Sequence, residues 1–339
     1  MAKDLIVLDP FPRTVEAVFD TQQFARLEGL GEIVRIDSRN DPASLDAVID
    51  RAVAIIGQPD LAEERLRRAG KLRTVINIEG NFFPNVDYDH CFQAGVSVLS
   101  IAPAFAYPVA EMAIGLALDL ARGITSADAS VRTGGEVYGS RGNAHAGLIT
   151  RSTIGIIGFG SIGRAIRRLL TGFSVKILVH DPWLPAGAIR EEGCEPVALE
   201  ELLSRCDTVF VSAAVTSENQ HLLDRTTLEL MRPDAALVLV GRAGIADFDV
   251  LLDMADKGRL RIATDVFPTE PIPADDPIRR SKILLSPHRA GGMRAALSTA
   301  AEMILDDLAL ILAGLPPVRL LQARRETVGK MRSKPASYR

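Results

Sequence analysis

The chain has 339 residues, enough for two domains with ample core. Hydrophobic residues make up 47% and charged residues 24%, the balance of an ordinary soluble globular protein. The formal net charge of -4 argues against a chain that wraps a polyphosphate backbone, so no nucleic acid partner is expected.

Met1-Ala2-Lys3-Asp4 leads into a short apolar run, Leu5 to Leu8, which Asp9-Pro10 ends. The run is too short for a signal-peptide core. No later apolar stretch is long enough to span a bilayer without a charge, Gly or Pro, so no membrane partner is expected. The three cysteines, Cys91, Cys194 and Cys206, form no CxxC pair and no metal-ligand pattern with the five histidines. They read as reduced thiols of a cytoplasmic protein without a bound metal.

In chain order, Leu5–Leu8, Ile33–Ile36, Val53–Ile56, Thr74–Ile78 and Val96–Leu99 are β-rich runs. Helical stretches such as Leu61 to Ala69 lie between them. Apolar strands separated by helices imply a parallel sheet covered on both faces. An apolar helix is predicted over Pro108–Arg122. The stretch from Ser126 to Thr150, rich in Gly, Arg and Ser, reads as an arm or extended loop. The alternation resumes with Ile154–Ile157, Val175–Val179, Thr208–Val211, Ala236–Val240, Arg261–Thr264 and Ile283–Leu285. A helix over about Ala295–Leu312 follows, ended by Gly314 and Pro316-Pro317. Seven cations come after Pro317: Arg319, Arg324, Arg325, Lys330, Arg332, Lys334 and Arg339. Two readings of this end stand open: a solvated tail, or a segment lying across the first domain.

Gly158-x-Gly160-x-x-Gly163 follows a β-branched strand and opens a helix. In that context each glycine has a task. Gly158 permits a tight turn, Gly160 lets a pyrophosphate approach the backbone, and Gly163 lets the helix pack close to the strand. The N–H groups at Ser161 and Ile162 and the helix dipole favour phosphate charge. Asp181, ending the next strand, suits the ribose hydroxyls of NAD and would repel the extra phosphate of NADP. The expected cofactor is therefore NAD.

Three polar residues follow later strands, where open α/β sheets bind ligands. Arg242 follows Val238-Leu-Val-Gly241, Glu270 lies in Asp265-Val-Phe-Pro-Thr-Glu-Pro271, and His288 lies in Leu285-Ser-Pro-His-Arg-Ala-Gly291. Alone, each has a plain alternative: a surface arginine, a turn cap, a satisfied loop histidine. Together with Val109-Ala-Glu111 and the glycine loop, in this order, they resemble the D-isomer-specific 2-hydroxyacid dehydrogenases, phosphoglycerate dehydrogenase-like members included.

That resemblance implies two doubly wound parallel-sheet α/β domains. Residues 1–103 and 293–339 would form a flavodoxin-like substrate domain, and residues 104–292 a Rossmann NAD domain, with the active site in the cleft between. It implies hydride exchange between NAD and a small-molecule D-2-hydroxy acid or its 2-keto acid. His288 would move the proton, Glu270 would orient and stabilise the ring, and Arg242 would clamp the substrate carboxylate. Asp265 would hold the nicotinamide side of the cofactor, and Glu79, Gly80 and Asn81 would line the substrate site. The resemblance also implies a homodimer built on the helix from Pro108 and the arm to Thr150.

The chain departs from the family pattern at several places. Ala243 follows the arginine where glycine is usual, Phe105 and Tyr107 precede Val109, and Arg289 follows the histidine where an aliphatic is usual. Glu79 puts an acid where backbone N–H groups should meet a carboxylate. It either points away, selects a cationic or hydroxylated substrate tail, or pairs with a cation of the basic tail. Two rival functions stand beside the dehydrogenase: a non-catalytic NAD-sensing, corepressor-like scaffold, and a dehydrogenase of another acid. Glu270, where formate enzymes of the family use Gln, argues against formate and leaves phosphite open.

Overall fold

The computed structural model describes residues 3–332. Two compact units are present: one made of the chain up to Phe105 and from Gly292 on, the other of Ala106–Gly291.

The first unit carries β1 (Leu5–Asp9), β2 (Glu32–Arg35), β3 (Ala52–Gly57), β4 (Thr74–Asn77) and β5 (Ser97–Ser100). The second carries β6 (Thr153–Ile157), β7 (Lys176–His180), β8 (Glu195–Pro196), β9 (Thr208–Val211), β10 (Ala236–Leu239), β11 (Arg261–Thr264) and β12 (Leu284–Leu285). The chain then returns to the first unit for β13 (Leu321–Gln322).

The first sheet runs β13-β5-β4-β3-β1-β2, parallel except for β13. Without β13 this is the flavodoxin-like order 2-1-3-4-5. Side chains alternate across it, as the pleat requires. Ile6, Leu8, Ala54, Ile56, Ile76 and Leu99 face Ala300, Ala301, Ile304 and Leu308 of the helix Arg294–Leu312. Leu5, Val7, Ile55, Val75 and Val98 face Leu45, Ile49, Leu66 and Cys91 on the other side. Each fully buried aliphatic chain contributes ~1.5–3 kcal/mol over exposure, so neither face can be opened without losing the unit.

The second sheet runs β12-β11-β10-β9-β6-β7-β8, all parallel. Its centre is the Rossmann order 3-2-1-4-5-6, with β6 as the first strand. The helix Ala106–Arg122 packs on β10, β11 and the helix Ser161–Leu169. By length and apolarity alone, Ala102–Arg122 would pass for a membrane span. Its Ala110, Ala113, Ile114 and Ala117 are buried in the protein, and it contains Pro108, Glu111 and Gly115.

Three expectations are corrected. The arm is not an extended loop throughout, since Ile124–Thr133 is a helix and Gly139–Asn143 a 3-10 turn. That helix buries no residue, so no apolar stripe marks it. Its Arg132–Asp128 pair is at i,i+4 and Gly134 ends it in the left-handed region. The second correction is β8, a strand of two residues that carries no alternation to detect.

The third concerns the end of the chain. Leu321 and Gln322 pair antiparallel with Ser100 and Leu99, and Leu320 and Ala323 are buried. Asp307, fully buried, accepts hydrogen bonds from the N–H groups of Val318, Arg319 and Leu320 and fixes the turn into β13. Arg319 pairs with Asp306, and Arg325 stacks over Phe92. The segment through Arg325 is therefore packed on the first unit and not a solvated tail; Lys334 and Arg339 lie outside the described residues.

Candidate active site

In the second unit the glycine loop leaves β6 and enters the helix Ser161–Leu169. Gly158 has φ +86°, and a Cβ there would lie 2.5 Å from the Ala213 Cα. Only glycine fits both the dihedral and the space. A Cβ on Gly163 would lie 2.4 Å from the Gly158 carbonyl oxygen, so this helix start is pressed onto the loop. Gly160 is the N-cap, and no side chain caps the first-turn N–H groups. A Cβ built on Gly160 meets nothing within 4 Å, so a ligand has room to reach the backbone. Open space over uncapped N–H groups, including those of the first turn at Ser161 and Ile162, fits a pyrophosphate.

Asp181 stands at the adjacent strand end. Its carboxylate accepts the Phe159 N–H at 2.7 Å and the Trp183 N–H at 3.0 Å. Two backbone donors hold the group in place, and each oxygen keeps lone-pair capacity for a ribose hydroxyl. The residues present fit NAD.

A histidine–carboxylate pair lies in the same unit. His288 Nδ1 is 2.6 Å from Glu270 Oε2, with both side chains about one-third exposed. Glu270 Oε1 accepts the Phe267 N–H at 2.9 Å. Burial pushes the Glu270 carboxyl up, but the His288 hydrogen bond and charge, the Phe267 N–H and the Arg242 charge outweigh it, and the net shift is downward. Glu270 is thus held as a carboxylate facing the ring. Arg242 follows β10 in extended backbone, half-buried, with Nη1 donating to the Gly241 carbonyl at 2.8 Å.

Asp265 takes a part that the sequence did not suggest. It is 2% exposed and accepts from Ser286 Oγ at 2.5 Å and from the N–H groups of Arg289 and Ala290, each at 3.1 Å. These bonds bracket His288, whose φ is +46°. A non-glycine residue in that region is uncommon and is kept there by its surroundings. Asp265 is the brace of the histidine loop. Nothing in the spacing of Asp265, Ser286 and Ala290 announces such a contact.

In the first unit, Glu79, Gly80 and Asn81 follow β4 at the carboxyl edge of the sheet. Glu79 is 8% exposed. Its N–H donates to Asn77 Oδ1 at 2.7 Å, and its carbonyl accepts from Ser100 Oγ at 2.9 Å. Its carboxylate lies 3.2 Å from Nε of Arg13, whose guanidinium sits 5.9 Å from the centroid of the Phe105 ring. The cation beside Glu79 therefore comes from the loop after β1. A lone arginine behind Pro12 carries no signal that would have singled it out.

The chain matches the model of the D-isomer specific 2-hydroxyacid dehydrogenase NAD-binding domain over residues 114–290, a span that holds the glycine loop, Asp181, Arg242, Asp265, Glu270 and His288. It is 30% identical to a glyoxylate reductase of Korarchaeum cryptofilum, over 81% of this chain and 86% of that one. It is 27% identical to the D-3-phosphoglycerate dehydrogenase of Methanocaldococcus jannaschii over 85% of this chain, and spans about half of that longer relative, 55%. Among solved structures it resembles a phosphoglycerate oxidoreductase from Rhizobium etli, with 42% identity, a TM-score of 0.86, and coverage of 95% of this chain and 99% of that one. The glycine loop, the acid after β7 and the histidine–carboxylate pair all fall where that family model matches, and the chain belongs to the D-isomer-specific 2-hydroxyacid dehydrogenase family.

Proposed function

We propose that this protein is an NAD-dependent oxidoreductase that interconverts a D-2-hydroxy acid and its 2-keto acid. The observation that carries the reading is the 2.6 Å contact between His288 and Glu270 in the unit that also holds the glycine loop and Asp181. NAD supplies or accepts the hydride when bound. The protein's own groups handle the proton and the charge. Glu270, held ionised, accepts from Nδ1–H of His288 and leaves Nε2 as the nitrogen that exchanges a proton with the substrate oxygen. The imidazolium formed when the hydroxy acid is oxidised is stabilised by the same carboxylate. Arg242 offers a planar fork of donors to the substrate carboxylate and polarises the carbonyl. Asp265 keeps the histidine loop in its left-handed conformation, so the ring is aimed before substrate arrives. Gly80 and Asn81, after β4, are the first-unit residues assigned to the substrate.

Two further parts of the reading rest on surface and core. Ile124, Val131, Val137, Tyr138 and Leu148 are all exposed large apolar residues, concentrated in one arm. Their concentration supports a homodimer joined through this arm. All three cysteines are buried and unpaired, and burial pushes the Cys91 and Cys206 thiols up to about 12. Inert thiols of this kind suit a cytoplasmic protein.

The experiment is NADH oxidation with a panel of 2-keto acids, glyoxylate, hydroxypyruvate and 3-phosphohydroxypyruvate included. Turnover with at least one supports the assignment. NADH binding without turnover on any acid points instead to the NAD-sensing scaffold.

A further inference from the structure

We infer that Trp183 forms the wall on which the adenine of the cofactor stacks, and that Glu218 is the positioning residue that fixes the plane of its indole. Strand β6 lies between β9 and β7 in the sheet. The loops after β7 and β9 therefore flank the end of β6, where the glycine loop begins. The Trp183 Nε1–H donates to Glu218 Oε2 at 3.2 Å and joins these two loops. The backbone of Trp183 is fixed by the residue expected to hold the ribose, since its N–H donates to Asp181 Oδ1 at 3.0 Å. A base attached to a ribose at Asp181 must lie within a ring's width of the Asp181–Trp183 loop.

Glu218 is itself held. Its N–H donates to Thr216 Oγ1 at 3.1 Å, the Thr216 N–H donates to Asn219 Oδ1 at 2.7 Å, and Asn219 Nδ2 donates to the Ala214 carbonyl at 2.8 Å. The anchor for the indole edge is thus a braced loop and not a free side chain. Trp183 is 38% exposed, a large aromatic side chain at the surface beside a nucleotide site. Aromatic faces stack on purines without reading their hydrogen-bonding edges, so the contact adds affinity at the adenosine end and none at the nicotinamide end.

Trp183 is the one tryptophan of the chain, so indole emission reports this site alone. The test uses the full-length protein without substrate and two probes, ADP-ribose and nicotinamide mononucleotide. In the wild type, saturating ADP-ribose is expected to change the emission. By calorimetry, Trp183→Ala is expected to weaken ADP-ribose and NADH alike by roughly tenfold, the scale of one base–aromatic stack, with nicotinamide mononucleotide unchanged. Trp183→Phe keeps a stacking ring and loses less, which also guards against a fold defect in the alanine variant. Glu218→Ala is expected to weaken ADP-ribose severalfold. Glu218→Gln retains an acceptor for the indole N–H and is expected to bind like wild type. Emission unmoved by saturating ADP-ribose, or Trp183→Ala binding ADP-ribose within twofold of wild type, overturns the inference. Failure of every 2-keto acid to turn over would leave it untouched, because the readout needs no substrate.

Discussion

The two units hold their candidate residues in different ways. In the second unit the pieces are set by backbone geometry: a left-handed glycine, a helix start without a cap, a carboxylate at a strand end, and a histidine loop pinned to a buried aspartate. In the first unit the loop Glu79–Asn81 is held by side chains: Asn77 at the end of β4 itself, Ser100 on the neighbouring β5 and Arg13 beyond β1. Binding a dinucleotide constrains the main chain, because a pyrophosphate must touch N–H groups. Fitting one acid rather than another constrains only a few side chains, which can come from any strand end on the same edge. On the proposed function, the groups for cofactor and proton and the groups that choose the acid thus differ in what holds them.

The sharpest test of that contrast removes the proposed proton donor. His288→Gln is expected to lower kcat by roughly 10²–10⁴-fold while NADH affinity stays near wild type, because general acid–base groups contribute on that scale and the glycine loop is untouched. Steady-state kinetics and a cofactor titration decide it. A mutant that turns over its best acid at near the wild-type rate removes His288 from the mechanism.

Next in size is Arg242→Lys. The charge stays but the rigid donor fork is lost, so kcat/KM for the best 2-keto acid should fall by about tenfold or more. A loss under about threefold, less than about 1 kcal/mol of transition-state binding, would return Arg242 to a surface role.

The same contrast explains what the amino-acid sequence displayed. Eleven of the thirteen strands were legible because apolar β-branched runs and intervening helices repeat with a clear rhythm. The two missed strands, Glu195–Pro196 and Leu321–Gln322, are too short to show alternation. The glycine loop, Asp181, Arg242, Glu270 and His288 stood out as candidates because the tasks proposed for them dictate residue type and position, and the structure places them after strands of one sheet. Asp265 stood out as a candidate for the cofactor, but its bonds to the His288 loop were not legible. Arg13, Asp307 and the Trp183–Glu218 bond were not legible, since each depends on a contact between residues far apart in sequence. The helix Ile124–Thr133 stayed hidden because it buries nothing and so carries no apolar stripe.

The Arg13–Glu79 pair tests the first unit. Both side chains are largely buried, at 16% and 10% exposure, so removing one partner strands the other charge. Arg13→Met should cost roughly 1–2 kcal/mol in urea unfolding, below the range for a fully buried pair because some solvent reaches it. The double variant Arg13→Met with Glu79→Gln should recover part of that loss. KM for the acid should shift in both, while NADH affinity holds. Additive losses in the double variant would mean that the two groups are not coupled.

The smallest expected effect concerns Glu270 and pH. Its folded-state carboxyl sits below the ordinary 4.5, with the lowering influences of His288, Phe267 N–H and Arg242 exceeding the upward push of burial. A carboxylate whose pKa is depressed by folding stabilises the native state above its unfolded pKa, and that contribution drains away as the pH falls through the folded pKa. The sign is therefore fixed: wild type should gain on Glu270→Gln as the pH rises from about 3.5 to about 6, and the gap should level off above that. One-third exposure and solvent screening keep the effect modest, so paired urea titrations at several pH values are needed rather than one melting curve. Glutamine keeps one oxygen acceptor and puts an NH2 donor where the second oxygen stood, so it loses one of the two accepted hydrogen bonds along with the charge; the lost bond sets a constant offset, and the pH-dependent part of the gap reports the charge. A gap that stays constant across the range would mean that His288 and Arg242 do not favour the ionised form in the folded protein, and that the ring is oriented by hydrogen bonding alone. A gap that widens toward acid would reverse the sign and with it the role of Glu270 as the standing counter-charge to the imidazolium.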